Sequence, residues 1–92
     1  MKDAFMASFF HKGVLGGALY LQSDKALYRT EKTTVEPKYR NLEIPYNRIE
    51  RLETGWALLF PTVTFIMKSG VSYKFAIFNR KKFLSRLNAL KH

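Results

Sequence analysis

Cysteine is absent from this chain of 92 residues. Without it the protein has no disulfide, no thiolate nucleophile and no sulfur ligand for a metal, so packing alone must hold the fold. Histidine is nearly as scarce: His11 and the terminal His92 are the only imidazoles, and no metal-ligand spacing accompanies them. Ser8 and Asp3 lie near His11, but a catalytic triad is defined by spatial geometry and not by proximity in sequence. We therefore expect no metal, no cofactor, no catalytic residues and no enzymatic activity.

Long apolar runs are also missing. No segment approaches the roughly 20 apolar residues that a membrane-spanning helix needs. The N-terminal stretch 1–10 is interrupted by Asp3 and is followed at once by His11 and Lys12, so it is too short for the apolar region of a signal peptide. These patterns predict a soluble, cytoplasmic protein, and any membrane contact would be peripheral, at the inner face.

Acidic side chains are few, and they are unevenly placed. Seven Asp and Glu stand against sixteen Lys and Arg, which gives a formal net charge of +9. The 39 residues from Thr54 to His92 contain seven basic side chains and no acidic one. Such a balance favours partners that carry phosphate, either lipid headgroups or nucleic acid, but a cationic surface that only keeps the protein soluble has the same composition.

Most of the chain has the pattern of β-strands. Residues 62–68 and 71–77 alternate apolar and polar side chains, which predicts a hairpin with one face in the core. Residues 18–22 and 26–29 predict a second hairpin around a polar turn. Residues 4–12 fit either a first strand or a short helix.

The connections carry the usual signals of turns. Gly16-Gly17 indicates a turn or a close approach of two backbones. Residues 30–41 are polar and broken by Pro37, which predicts the longest loop. Residues 42–52 resume an extended pattern that breaks at Pro45, as in a bulged or edge strand.

At Asn79 the two-residue alternation gives way to helical spacing. Asn79 is a suitable N-cap, and Phe78 and Phe83 have the spacing of a hydrophobic staple. The helix has one apolar stripe, made of Phe83, Leu84, Leu87 and Leu90. We therefore predict a single, mainly β domain over residues 1–92, with strands within about 4–77 and a C-terminal α-helix over about 79–91 that closes one end of a small barrel or sandwich.

One set of residues, taken in order along the chain, has a recognisable pattern. It comprises Gly17-Ala18-Leu19-Tyr20-Leu21, Leu27, Ile44-Pro45-Tyr46, Ile49, Gly70, Tyr73, Phe75, Asn79-Arg80, Phe83 and Leu87. This pattern resembles a GRAM domain, a member of the pleckstrin-homology-like (PH-like) superfamily. The similarity covers about residues 7–90 and is most specific at the terminal N-R-x-x-F-x-x-x-L.

The resemblance implies a PH-like, seven-stranded antiparallel split barrel of two packed sheets, capped by the C-terminal helix. It also implies a non-catalytic binding module that recognises an anionic membrane surface, through lipid headgroups, or a protein partner. In lipid-binding relatives the headgroup lies opposite the helix, among the first, third and sixth interstrand loops. The corresponding candidates for anion or lipid binding are Lys12, Lys32, Lys38, Arg40 and Lys68.

A second basic patch lies on the helix and comprises Lys81, Lys82 and Arg86. Lys81 and Lys82 follow Arg80 in the first turn, where the positive end of the helix dipole disfavours cations by on the order of 0.3 to 1 kcal/mol each. A bound anion would reverse that penalty. Alternatively Arg80, at the edge of the apolar stripe, packs its stem on the barrel rim while the lysines are simply solvated.

Two other functions fit the composition. Residues 68–75 loosely follow the basic, glycine and aromatic order of an RNA-recognition strand, so a small basic β-barrel that binds single-stranded nucleic acid is the runner-up. A surplus of aromatic side chains over what a small barrel buries would leave an exposed apolar patch, which would indicate a partner interface or a homo-oligomer. The same rings would equally serve to cover a barrel mouth. These surplus aromatics are Phe9, Phe10, Tyr39, Tyr46 and Trp56.

Overall fold

The computed structural model describes residues 3–11, 13–31 and 36–91. Within these residues the chain forms seven strands and two α-helices, with a short 3-10 turn at Tyr46–Arg48. The elements are β1 (Ala4–Phe10), β2 (Val14–Leu21), β3 (Lys25–Arg29), α1 (Pro37–Arg40), β4 (Asn41–Pro45), β5 (Ile49–Ala57), β6 (Phe60–Met67), β7 (Ser72–Ile77) and α2 (Arg80–Lys91).

All seven strands are antiparallel and form a sheet in the order β4-β3-β2-β1-β7-β6-β5, curled into a half-barrel. Two meanders, β1 to β4 and β5 to β7, make its two halves. The halves are joined where β1 pairs with β7. This confirms the predicted fold class, and it shows that the ambiguous first segment is a strand.

The concave face of the sheet holds the core, and the alternation of side chains in β1 shows why. Phe5, Ala7 and Phe9 are buried, whereas Met6 on the opposite face is exposed, as a period of two residues requires. The core is unusually aromatic. Its largest fully buried side chains are Tyr28, Phe65, Phe75 and Phe83.

Helix α2 closes one end of the half-barrel with the predicted stripe. Phe83 and Leu87 are fully buried, and Leu84 and Leu90 pack partly against the core. The ring of Phe83 meets Phe5 edge-on, with 5.2 Å between centroids. Edge-to-face packing of this kind is a favourable arrangement of aromatic rings, so the helix is a structural part of the core.

The start of α2 differs from the prediction. Asn79 has a φ of 61°, whereas an N-cap residue normally has extended backbone. This tight turn leaves Phe78 exposed on the convex face, where its ring stacks on Phe60, while Phe83 enters the core. The predicted staple between Phe78 and Phe83 is therefore wrong.

Gly16 and Gly17 lie inside β2 and not in a turn, and the turn before β2 contains Gly13, with a φ of 119°. The alternative explanation, a close backbone approach, holds for Gly17. A Cβ atom there would lie 2.3 Å from the carbonyl oxygen of Arg29. The break at Pro45 is also confirmed, because β4 ends there, and β4 and β5 are the edge strands of the sheet.

Candidate functional site

The end of the barrel opposite α2, called here the loop end, contains the β1–β2, β3–β4 and β6–β7 connections. Aromatic contacts bring these connections together: the rings of His11 and Tyr39 are 4.1 Å apart, and Phe9 lies 6.1 Å from Tyr73. Two of the five predicted anion-binding residues, Lys12 and Lys32, lie outside the described residues. The structure therefore shows the surroundings of the other three candidates, Lys38, Arg40 and Lys68.

Among the described residues, those three cations have separate surroundings. Arg40 lines a cavity of about 640 Å³ together with Arg29 and Glu31. Lys68 lines a different cleft, of about 320 Å³, that also contains an acidic side chain. The ammonium group of Lys38 lies 5.0 Å above the ring of its neighbour Tyr39. The positive charge of these three described residues is thus divided among separate places.

Two buried phenols hold the frame of the barrel. The Tyr28 hydroxyl donates a hydrogen bond to the carbonyl oxygen of Leu15, at 2.6 Å, and the Tyr46 hydroxyl donates to that of Gln22, at 2.7 Å. Burial raises the pKa of both phenols, and that of Tyr46 reaches about 12. Both groups are therefore neutral hydrogen-bond donors at physiological pH.

At the opposite end, called here the helix end, Arg86 and Asp3 form a two-pronged ion pair. The guanidinium donates to both carboxylate oxygens, at 2.9 and 3.0 Å, and these bonds raise the pKa of Arg86 further above its ordinary value. Lys81 and Lys82 are exposed in the first turn of α2. Of the predicted second patch, these two lysines present their charge to solvent most fully.

Arg80 connects α2 to the β5–β6 hairpin. Its guanidinium donates hydrogen bonds to the carbonyl oxygens of Gly55 (2.6 Å) and Thr62 (3.2 Å), and it lies 5.0 Å from the centre of the Trp56 ring. These acceptors compensate for the unfavourable position of a cation at a helix N-terminus. Arg80 therefore packs on the barrel rim, which was the second of the two alternatives drawn from the sequence.

Among the residues that the structure describes, the turn between β5 and β6 carries the most exposed large apolar side chains. Leu58 is 92% and Leu59 87% exposed, and Trp56 is 64% exposed. Leu58 also has a φ of 57°, a conformation that bulky residues rarely adopt. We call residues 56–60 the apolar tip.

Next to the apolar tip, the convex face of the sheet forms an apolar groove of about 270 Å³. The ammonium group of Lys74 lies 5.4 Å above the ring of Phe10, one of the groove residues. Cations and apolar surface are therefore side by side on this face. The groove is lined by Ser8, Phe10, Val14, Ala57, Leu58, Phe60, Ala76 and Phe78.

The predicted surplus of aromatic side chains is only partly exposed. Phe9 and Tyr46 are buried, whereas Trp56 is largely exposed. Sequence reasoning missed Leu58 and Leu59. A signal was nevertheless present: the apolar run 56–60 lies between Gly55 and Pro61. Its two turn residues are Leu58 and Leu59, where Gly, Asn or Asp would be usual.

Among the described residues no helix is long and apolar enough to span a membrane. No protein-family model matches the chain, and no curated protein matches it. Among solved structures, the chain is similar to the C-terminal domain of an unknown protein from Leishmania infantum, with a TM-score of 0.79 and 11% sequence identity. The alignment covers 96% of this chain and 80% of that one. At this identity the likeness shows the fold alone.

Proposed function

We propose that this domain is a non-catalytic, GRAM-like binding module that attaches to anionic membrane surfaces. One observation carries the proposal: exposed cations and exposed apolar side chains share the convex face and the helix end. Lys74, Lys81 and Lys82 are exposed there, and the described chain from residue 54 to 91 contains no acidic side chain. Lipid surfaces with acidic headgroups offer both negative charge and an apolar interior.

Ion pairing leaves this positive charge largely uncompensated. Asp3, the acidic residue that reaches the helix end, is paired with Arg86. Glu50 and Glu53 both pair with Arg51 on the edge strand β5. Because each Lys or Arg near an anionic membrane contributes about 1 kcal/mol, the three exposed lysines would together contribute about 3 kcal/mol to attachment.

The leucines of the apolar tip favour a membrane over nucleic acid. Single-stranded nucleic acids bind through aromatic rings that stack on bases and through cations on phosphates. Trp56 next to Arg80 could serve that purpose, but Leu58 and Leu59 offer neither a ring face nor a hydrogen bond. An aliphatic tip is instead suited to contact with lipid chains.

Cosedimentation with vesicles tests the proposal. The protein should bind phosphatidylserine-containing vesicles at low ionic strength, bind them much less at high salt because the charges are screened, and ignore pure phosphatidylcholine. Two double variants with the same change in net charge show which end of the domain faces the membrane. Lys81→Glu with Lys82→Glu should abolish most binding, and Lys12→Glu with Lys68→Glu should weaken it less.

The reverse order of the two double variants would place the membrane face at the loop end. If the unmodified protein ignores acidic vesicles altogether, the membrane function is wrong. An oligonucleotide gel shift on the same samples then tests the nucleic-acid alternative.

A further inference from the structure

We infer that the apolar tip inserts into the hydrocarbon region of the bilayer and that the convex face and helix end rest on the headgroups above it. This inference rests on the proposed membrane function and adds the mode of attachment. Its starting point is the nearly complete exposure of Leu58 and Leu59. Two adjacent leucines at the most prominent point of a hairpin contribute little to the protein's own core.

The backbone of the tip indicates that the leucine side chains serve a purpose outside the fold. Leu58 adopts a φ of 57°, for which Gly, Asn or Asp is the usual choice in a hairpin turn. A leucine there is strained and solvated, and the folded domain gains little packing in return. Strained residues of this kind cluster at ligand-binding sites.

The surroundings of the tip follow the depth profile of a membrane interface. The leucines are outermost, and the rings of Trp56 and Phe60 come next along the two strands. Cations then lie directly on rings of this surface: Arg80 on Trp56 and Lys74 on Phe10. Interfacial proteins usually have this arrangement: aliphatic side chains lie in the hydrocarbon, aromatic rings at the interface and cations at the level of the phosphates.

The strands that carry the tip are also held together by hydrogen bonds, so insertion should need little additional ordering. β5 and β6 remain paired up to Ala57 and Phe60. Arg80 bonds to carbonyl oxygens on both strands, at Gly55 and Thr62. A pre-organised tip loses less conformational entropy on binding than a disordered loop would.

Trp56 makes the experiment direct, because it is the only tryptophan in the chain. We expect its emission to shift to the blue when phosphatidylcholine vesicles containing phosphatidylserine are added, and to be quenched by lipids brominated on the acyl chain. Without insertion Trp56 would stay largely in water, and brominated chains would not quench it.

A neutral substitution separates insertion from charge. Leu58→Ser with Leu59→Ser should keep the melting temperature, since both side chains are exposed, but should weaken vesicle binding by roughly tenfold or more. Val71→Ser is the matched control: Val71 is also exposed, but it lies in the β6–β7 turn at the loop end, so binding should stay unchanged. Leu58→Asn should raise the melting temperature while lowering vesicle affinity.

The outcomes distinguish insertion of the apolar tip from the proposed binding to anionic membranes. If the unmodified protein does not bind acidic vesicles, both are wrong. If it binds but Trp56 is not quenched, and the double serine variant binds equally well, attachment is purely electrostatic and insertion alone is overturned. If sedimentation velocity without vesicles shows a dimer that the double serine variant abolishes, the tip is covered by a second copy and insertion is again overturned.

Discussion

At Gly17 the space that a side chain would need is already filled. A Cβ atom would lie 2.3 Å from the carbonyl oxygen of Arg29 and 2.9 Å from the ring of Tyr28. Gly17→Ala should therefore destabilise the domain by about 1 to 3 kcal/mol or more, as overpacking does. Gly16→Ala is the matched control, because nothing lies within 4 Å of its Cβ position. Urea unfolding of both variants checks this, and equal losses would contradict the close approach of β2 and β3.

Tyr46 makes stability depend on pH in the alkaline range. Burial raises its pKa from 10.0 to about 12, so the folded state favours the neutral phenol. This stabilisation, on the order of 2 kcal/mol, is fully present below pH 10 and is lost as the pH rises from 10 to 12. The Tyr46→Phe variant should lose about 1 kcal/mol at pH 8, because the hydrogen bond to Gln22 is missing.

The same variant should lose less stability than the unmodified protein between pH 10 and 12. Unfolding free energies measured in urea at pH 8, 10 and 11.5 would show the two curves converging or crossing. Parallel curves would mean that the folded state accepts the ionised phenol as readily as the unfolded chain does.

At the scale of elements, α2 closes one end of the barrel with its apolar stripe. Phe83 is completely buried and lies against rings of two strands, Phe5 and Phe65. Phe83→Ala should reduce the free energy of unfolding by about 3 to 5 kcal/mol, as large aromatic truncations in cores do. Asn88→Ala, on the exposed side of the helix, should change it by less than about 0.5 kcal/mol. A loss below about 1 kcal/mol for Phe83→Ala in thermal or urea unfolding would mean that the helix is not docked at this site.

Elements with strong periodicity could be predicted, but the local geometry where one element meets the next could not. The alternation in residues 62–77 and the stripe around Phe83 and Leu87 follow directly from strand and helix geometry. The left-handed turn at Asn79, which leaves Phe78 exposed, depends on how β7 meets α2. Such a turn has no periodic signal in the sequence, so the staple was predicted wrongly.

At the scale of the whole molecule, the excess of positive charge was visible in the composition. Which cations are paired and which are exposed to solvent was not. The sequence does not show that Arg86 pairs with Asp3, 83 residues away, or that Arg80 binds carbonyl oxygens. The apolar run 56–60 lies between Gly55 and Pro61, but its composition does not show which of its side chains are exposed. The pairing of β5 with β6 shows that Leu58 and Leu59 form the turn of a hairpin, with both side chains in solvent.

The position of the first strand in the sheet has a consequence for how the domain folds. β1 lies in the middle of the sheet, between β2 and the last strand β7, which it meets through three residue pairs, Ala7–Ile77, Ser8–Ala76 and Phe9–Phe75. Each meander is built from strands that are neighbours in sequence, so each can form early. The two meanders join only when β1 meets β7, and this contact closes most of the chain into one loop. Long-range pairing of this kind is slow. We therefore expect the seam of β1 and β7 to set the refolding rate, so that truncating Phe9 or Phe75 slows refolding, while changes at the apolar tip leave the rate unaltered.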